Sequence, residues 1–218
     1  MIILKYIIVI LISLSGACAA VCFNERYPDS SMESIPQLLK KSYKKLIVFS
    51  VCYTGFAIAG MVLKPERLSF VQIVEYILIW DTLMLIGFID YKMKKIPNKL
   101  VIFVAVTRIM FLILEAVFHT NGVLNLLIQS GAGLAFGGLF TLICMLVSHG
   151  IGAGDIKLFA VLGLSFGLRG IISIMMYSVF LSFIICIVLL ISRKAKMKST
   201  LPMAPFIFIG LSLYLILI

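Results

Sequence analysis

The sequence predicts an all-α, polytopic membrane protein: a helical bundle of about eight spans, the sixth short, with both termini outside. Three observations point there. Of 218 residues, 62% are hydrophobic and only 13% are charged, whereas a soluble domain carries about 25% charged residues. Mean hydropathy is +1.18. Several apolar stretches reach the ~20 residues that a helix needs to cross a bilayer. The basic residues gather in short linkers between these stretches, which is how membrane proteins fix their orientation. The net charge of +10 therefore needs no nucleic acid to explain it, and no basic face on a folded domain suggests one. Lipid is the expected surrounding.

The elements follow in order. Ile2–Phe23 is too long for the apolar core of a cleavable signal and reads as a retained span. The linker 24–45 is polar and carries Pro28, Ser30, Ser31 and Pro36. Further spans are expected at Leu46–Leu63, Leu68–Ile89, Pro97–Phe118, Val123–Val147, Gly170–Ser192 and Leu201–Ile218. Ile156–Leu168 is a shorter apolar stretch, covering about 20 Å as a helix. Residues 1–67 form an N-terminal pair of spans with its linker, and residues 68–218 form a core.

Charge sets the orientation. Arg26, Lys40, Lys41, Lys44 and Lys45 lie in the first linker; Lys92, Lys94, Lys95 and Lys99 flank the next inside turn; Arg193, Lys194, Lys196 and Lys198 form another cluster. With Lys157, these face the cytoplasm and leave Lys5, Lys64, Arg67 and Arg169 outside. The loops holding Asp155 and Arg193 then lie on one side, so an even number of crossings separates them. That makes Ile156–Leu168 a crossing, because a re-entrant segment would put the Arg193 cluster outside.

This topology places two acids at one boundary. Asp90 closes the third span in FIDYKMKKIPNKL, and Asp155 opens the sixth in GIGAGDIK. Acids at the edge of hydrocarbon are costly and face a bundle interior or water. Two carboxylates at one depth can share a proton, as in aspartic proteases. One then takes a proton from water while the other, protonated, polarises a carbonyl. Gly150, Gly152 and Gly154 would permit positive φ and close backbone approach. Asp155 in the first turn of a helix is favoured by the helix dipole, and Pro97 suits the first turn of the following helix. The spacing equally suits a glycine turn with an N-terminal Asp and an Asp90 balanced by lysines, and taken alone it favours that plainer account.

The motifs themselves carry a resemblance. DYKMKKIP at Asp90–Pro97, followed by GAGDIK at Gly152–Lys157, resembles the paired signatures of the type IV prepilin peptidase family, membrane aspartic peptidases of the GxGD type. LPMAPFIFIG at Leu201–Gly210 resembles the proline-containing start of that family's last span. The resemblance implies that Asp90 and Asp155 are the catalytic pair, with Gly152, Gly154, Lys157 and Pro97 as supporting motif residues. It implies a prepilin or pilin-like precursor as substrate, cut at the cytoplasmic face of the cell membrane between a short basic leader and an apolar helix. The family's larger members carry two CxxC pairs, thought to hold zinc, after the first span, and also N-methylate the new N-terminus. Residues 16–28, GACAAVCFNERYP, faintly resemble the start of that region, but the linker 24–45 has no cysteine. No metal is expected, and proteolysis needs no cofactor; S-adenosylmethionine enters only if methyl transfer is retained. Cys18, Cys22, Cys52, Cys144 and Cys186 lie in or beside apolar stretches and suit neither a zinc site nor a disulfide framework.

Other polar residues read more plainly. His149 is an interfacial residue beside the glycine turn, His119 an outer-loop residue, and Lys157 snorkels to headgroups. Asp81 lies nine residues before Asp90, about 13–14 Å away and half a turn around the helix. Arg108 lies at about the same depth on the next span, counted from Pro97, and the two are expected to pair. Two rival functions remain. A transporter or channel would use Glu75, Asp81, Arg108 and Glu115 as a path at staggered depths. A presenilin-type protease shares GxGD, but its tyrosine–aspartate partner motif is missing, since Asp90 follows Ile89.

Overall fold

The computed structural model describes residues 69–118, 122–148, 152–192 and 201–217. The first two expected spans, the linker 24–45, both chain ends, His119 and His149 lie outside the described residues. The described residues form five helices: α1 (Phe70–Met93), α2 (Asn98–Phe118), α3 (Val123–Ser148), α4 (Ala153–Ile191) and α5 (Ala204–Leu217). Among them there is no strand. Four of these helices, α1 to α4, are long and apolar enough to cross a membrane, and the chain is an integral membrane protein by that measure.

Local chemistry sets the ends. Ser69 caps α1 through its hydroxyl, which accepts the N–H of Gln72, while the Gln72 side chain accepts the N–H of Ser69. At the other end Lys94 adopts φ 50°, ψ 39° and returns its N–H to the Asp90 carbonyl. The helix thus runs a turn past the expected Ile89, with Asp90 inside its last turn. Pro97 precedes α2 rather than opening it: its carbonyl accepts the N–H groups of Leu100 and Val101.

The largest departure from expectation is α4. Ile156–Leu168 and Gly170–Ser192, expected as spans separated by a turn at Arg169, are two arms of one element, joined at Gly167 (φ 67°, ψ −177°). A side chain rarely adopts that conformation, and glycine does so without strain. A Cβ at Gly137 on α3 would collide with the Phe159 carbonyl of the first arm and lie 3.3 Å from Ile171 Cγ1 of the second. On a straight helix those residues would stand about 18 Å apart. The second arm therefore doubles back along the first. One buried glycine replaces the expected loop, and exposed Arg169 lies just beyond the bend.

Small residues allow this layer to close. A Cβ on Gly133 would collide with the Gly163 carbonyl, and one on Gly163 with the Gly133 carbonyl, so backbone meets backbone where α3 crosses the first arm. Apolar surface gains little from leaving lipid, and close van der Waals contact of this kind holds membrane helices together. α5 runs antiparallel to α1, with Gly87 against Pro205 at one end and the Trp80 indole donating to Ser212 at the other (2.8 Å). Leu83, Ile86, Leu158, Leu162, Ile171, Ile207 and Leu211 fill the space between α1, α4 and α5. Ile102, Ile109 and Ile113 on α2, and Leu127, Leu139 and Ile143 on α3, stay exposed.

The expected Asp81–Arg108 pair does not form. Arg108 donates to both Glu75 oxygens (2.9 and 3.1 Å), to Glu115 (3.5 Å), to Ser130 (3.1 Å) and to the Leu164 carbonyl (3.2 Å). Asp81 is buried, and its Oδ1 has no hydrogen-bond partner among the described residues. Depth alone misled here. Glu75 and Asp81 are six residues apart, about 120° around α1, and the long arginine reaches the former. Glu75, Arg108 and Glu115 meet in one cluster, and Asp81 stands apart from it.

Candidate active site

Both motif acids lie at the same end of the bundle, and backbone groups fix each one. Asp90 is 6% exposed, and its Oδ2 accepts the N–H of Ala204, the first residue of α5, at 3.0 Å. The first N–H groups of a helix have no internal acceptor and carry partial positive charge. The carboxylate of α1 thus caps α5 from across the bundle. The Leu201–Gly210 segment acquires a physical role from this contact, because Pro205 packs on Gly87, one turn before Asp90, and brings the α5 N-terminus to the acid.

Asp155 is the third residue of α4 and is half-buried. Its Oδ2 accepts the Gly152 N–H at 3.1 Å, the carboxylate half of a capping box. The glycines serve close approach, not positive φ. Gly152 is extended (φ −75°, ψ 147°), and neither it nor Gly154 has φ above zero. A Cβ on Gly154 would lie 3.0 Å from the Cβ of Ile96, and one on Gly152 would lie 3.3 Å from Asp155 Oδ2. Gly150 lies outside the described residues.

Two contacts between distant stretches join the motifs. Ile96, beside Pro97, packs on Gly154, and Lys157 Nζ donates to Asn98 Oδ1 at 3.2 Å. Lys157, expected to snorkel to headgroups, instead ties the start of α4 to the start of α2. The α1–α2 turn is thereby docked on the α4 N-terminus. Ile96 follows Asp90 by six residues and Gly154 immediately precedes Asp155, so this contact sets the two acids at one end of the bundle. Each carboxylate has about four acceptor sites when ionised, so the backbone bonds orient both acids and leave sites for water or a shared proton. Ile96, Asn98 and the Ala204 N–H were missed from sequence. The first two sit beside Pro97 and carry no chemical signal; a backbone donor carries none at all.

Residues 76–191 match the model of the type IV leader peptidase family, a stretch that contains Asp90, Pro97, Gly152, Gly154, Asp155 and Lys157 but ends before the Leu201–Gly210 segment. The prepilin leader peptidase/N-methyltransferase of Bacillus subtilis (strain 168) is 29% identical over 129 residues, covering 59% of this chain and 49% of that protein. The chain thus spans about half the length of the curated relative it matches. No solved structure matches.

Proposed function

Since the chain belongs to the type IV leader peptidase family, we propose that it is an aspartic endopeptidase cleaving the short basic leader from type IV prepilin-like precursors. Cleavage takes place at the cytoplasmic face of the cell membrane. Asp90 and Asp155 hold one proton between them. The ionised carboxylate accepts a proton from a water, whose oxygen attacks the scissile carbonyl carbon, while the protonated one donates to the carbonyl oxygen. Collapse of the tetrahedral centre breaks the C–N bond, and the departing amine takes up a proton from the pair.

The observation that carries this reading is the docking of the two motifs, Ile96 on Gly154 and Lys157 on Asn98, with each acid held by a backbone N–H. Helix capping accounts for each acid by itself, Asp155 on its own helix and Asp90 on α5, but not for the docking that sets the two capped ends side by side. Methyl transfer to the new N-terminus, with S-adenosylmethionine as donor, is a separate activity; the matched relative's name includes it, and only about half of that relative is covered.

The test is to incubate membranes containing the protein with a candidate precursor and locate the new N-terminus by mass spectrometry. Asp90→Asn and Asp155→Asn should each abolish cleavage while the protein stays inserted, and the double variant should match either single one. Robust cleavage by one of the single variants would end the proposal.

A further inference from the structure

An apolar groove of about 770 Å³ opens between α3 and the second arm of α4, lined by Phe136 and Phe140 on one side and by Ile172, Met176 and Phe180 on the other, with Met203 among the lining residues. It is not an isolated hollow. Met203 is peptide-bonded to Ala204, whose N–H holds Asp90. From Ile172 to Phe183 the groove follows twelve residues of the second arm, about 16 Å of helix and about half the ~30 Å hydrocarbon core.

The lining explains what kind of guest fits. Ser182 is the hydroxyl in the wall, and it donates to the Val179 carbonyl at 2.8 Å. Recognition there rests on shape and apolar contact, and aromatic rings with flexible thioethers suit guests of varied sequence. Phe140, Ile172, Met176 and Phe180 stay exposed although the core beside them is closed.

We infer that this groove receives the apolar helix that follows the scissile bond of the precursor, an inference that rests on the peptidase reading above. A substrate cut at the junction of a polar leader and an apolar helix needs a way into the bilayer at the depth of the two acids. The groove that reaches Met203 supplies one. Fixing the helix there would place the bond before it next to Asp90 and set which peptide bond is cut.

Two measurements test this. In Asp155→Asn protein, to leave the precursor uncut, a benzoylphenylalanine photoprobe replaces Met176 in the groove or, as control, the exposed Ile109 on α2. The precursor should crosslink from position 176 and not from 109. Separately, Met176→Trp and Val179→Trp narrow the groove. The ratio of kcat/KM for full-length precursor to that for a peptide lacking the apolar helix should fall about tenfold, the scale on which overpacking disfavours a guest. Ile109→Trp should leave that ratio unchanged. Equal crosslinking from both positions, crosslinks from 176 to lipid or to the chain itself only, or an unchanged ratio in the narrowed variants would overturn the groove assignment while cleavage by wild-type protein upheld the peptidase. Failure of wild-type protein to cut any precursor would overturn both.

Discussion

Replacing Arg108 with methionine keeps an unbranched, flexible stem and removes the guanidinium that holds the bundle's polar centre. Glu75 is 0% exposed, and both of its oxygens bond to Arg108 Nη1. Without that guanidinium the acid must be buried unpaired or take up a proton, and breaking a buried pair in this way costs about 3–5 kcal/mol in soluble proteins. The Leu164 carbonyl is also left without Arg108 Nε. It lies three residues before the break at Gly167, where helical donors for the last carbonyls are lost, and an orphaned buried acceptor costs about 1–3 kcal/mol. Hydrogen bonds between membrane helices average only ~0.6 kcal/mol and reach ~1.7, so the unpaired acid decides the outcome. The expected loss for Arg108→Met is about 3 kcal/mol, at the low end because Glu75 can protonate. Glu75→Gln should cost less, since Arg108 keeps Glu115, Ser130 and Leu164. The double variant Arg108→Met/Glu75→Gln, which leaves no charge to bury, should be more stable than Arg108→Met alone. Thermal unfolding of the four proteins in detergent, followed by far-UV circular dichroism, measures this cycle. Additive losses, or an Arg108→Met protein that melts with the wild type, would refute the reasoning.

Other outcomes follow from the same contacts. Gly163→Ala should sharply lower the yield of folded protein, because its Cβ would collide with the Gly133 backbone, which has no flexible end to move; wild-type yield in a membrane-fraction immunoblot would contradict that packing. Gly154→Ala should keep most activity, since Ile96 can shift by tenths of an ångström, whereas Gly154→Leu should lose cleavage while remaining inserted; equal activity of the two would dissociate the docked turn from catalysis. Cleavage should persist in strong chelator, and its arrest by chelation with recovery on adding zinc would exclude a mechanism of two aspartates alone. A pair sharing one proton should give a bell-shaped dependence of kcat/KM on pH, with no base at low pH and no acid at high pH; a monotonic rise would contradict it.

Part of this protein is written locally in its sequence. Runs of apolar residues as long as a bilayer is thick become helices because no other backbone form satisfies its N–H and C=O groups in lipid, and Val123–Val147 was legible to within a residue. The two acids were legible because charge near hydrocarbon is rare enough to stand out, and the residues around them supplied the resemblance to a peptidase. What the sequence could not decide was which partner each polar group would meet. Arg108 chose Glu75 and Glu115 over Asp81 because angular position around a helix, and not depth alone, determines contact. Gly167 became a reversal because α3 offers Gly133 and Gly137 as a bed for both arms. The groove beside Met203 exists only once those arms are in place. The backbone donors that hold Asp90 and Asp155 come from α5 and from the α4 turn, and every residue except proline carries such a group. Local patterns specify elements one at a time, whereas a site assembled from four stretches of chain is set by packing between them.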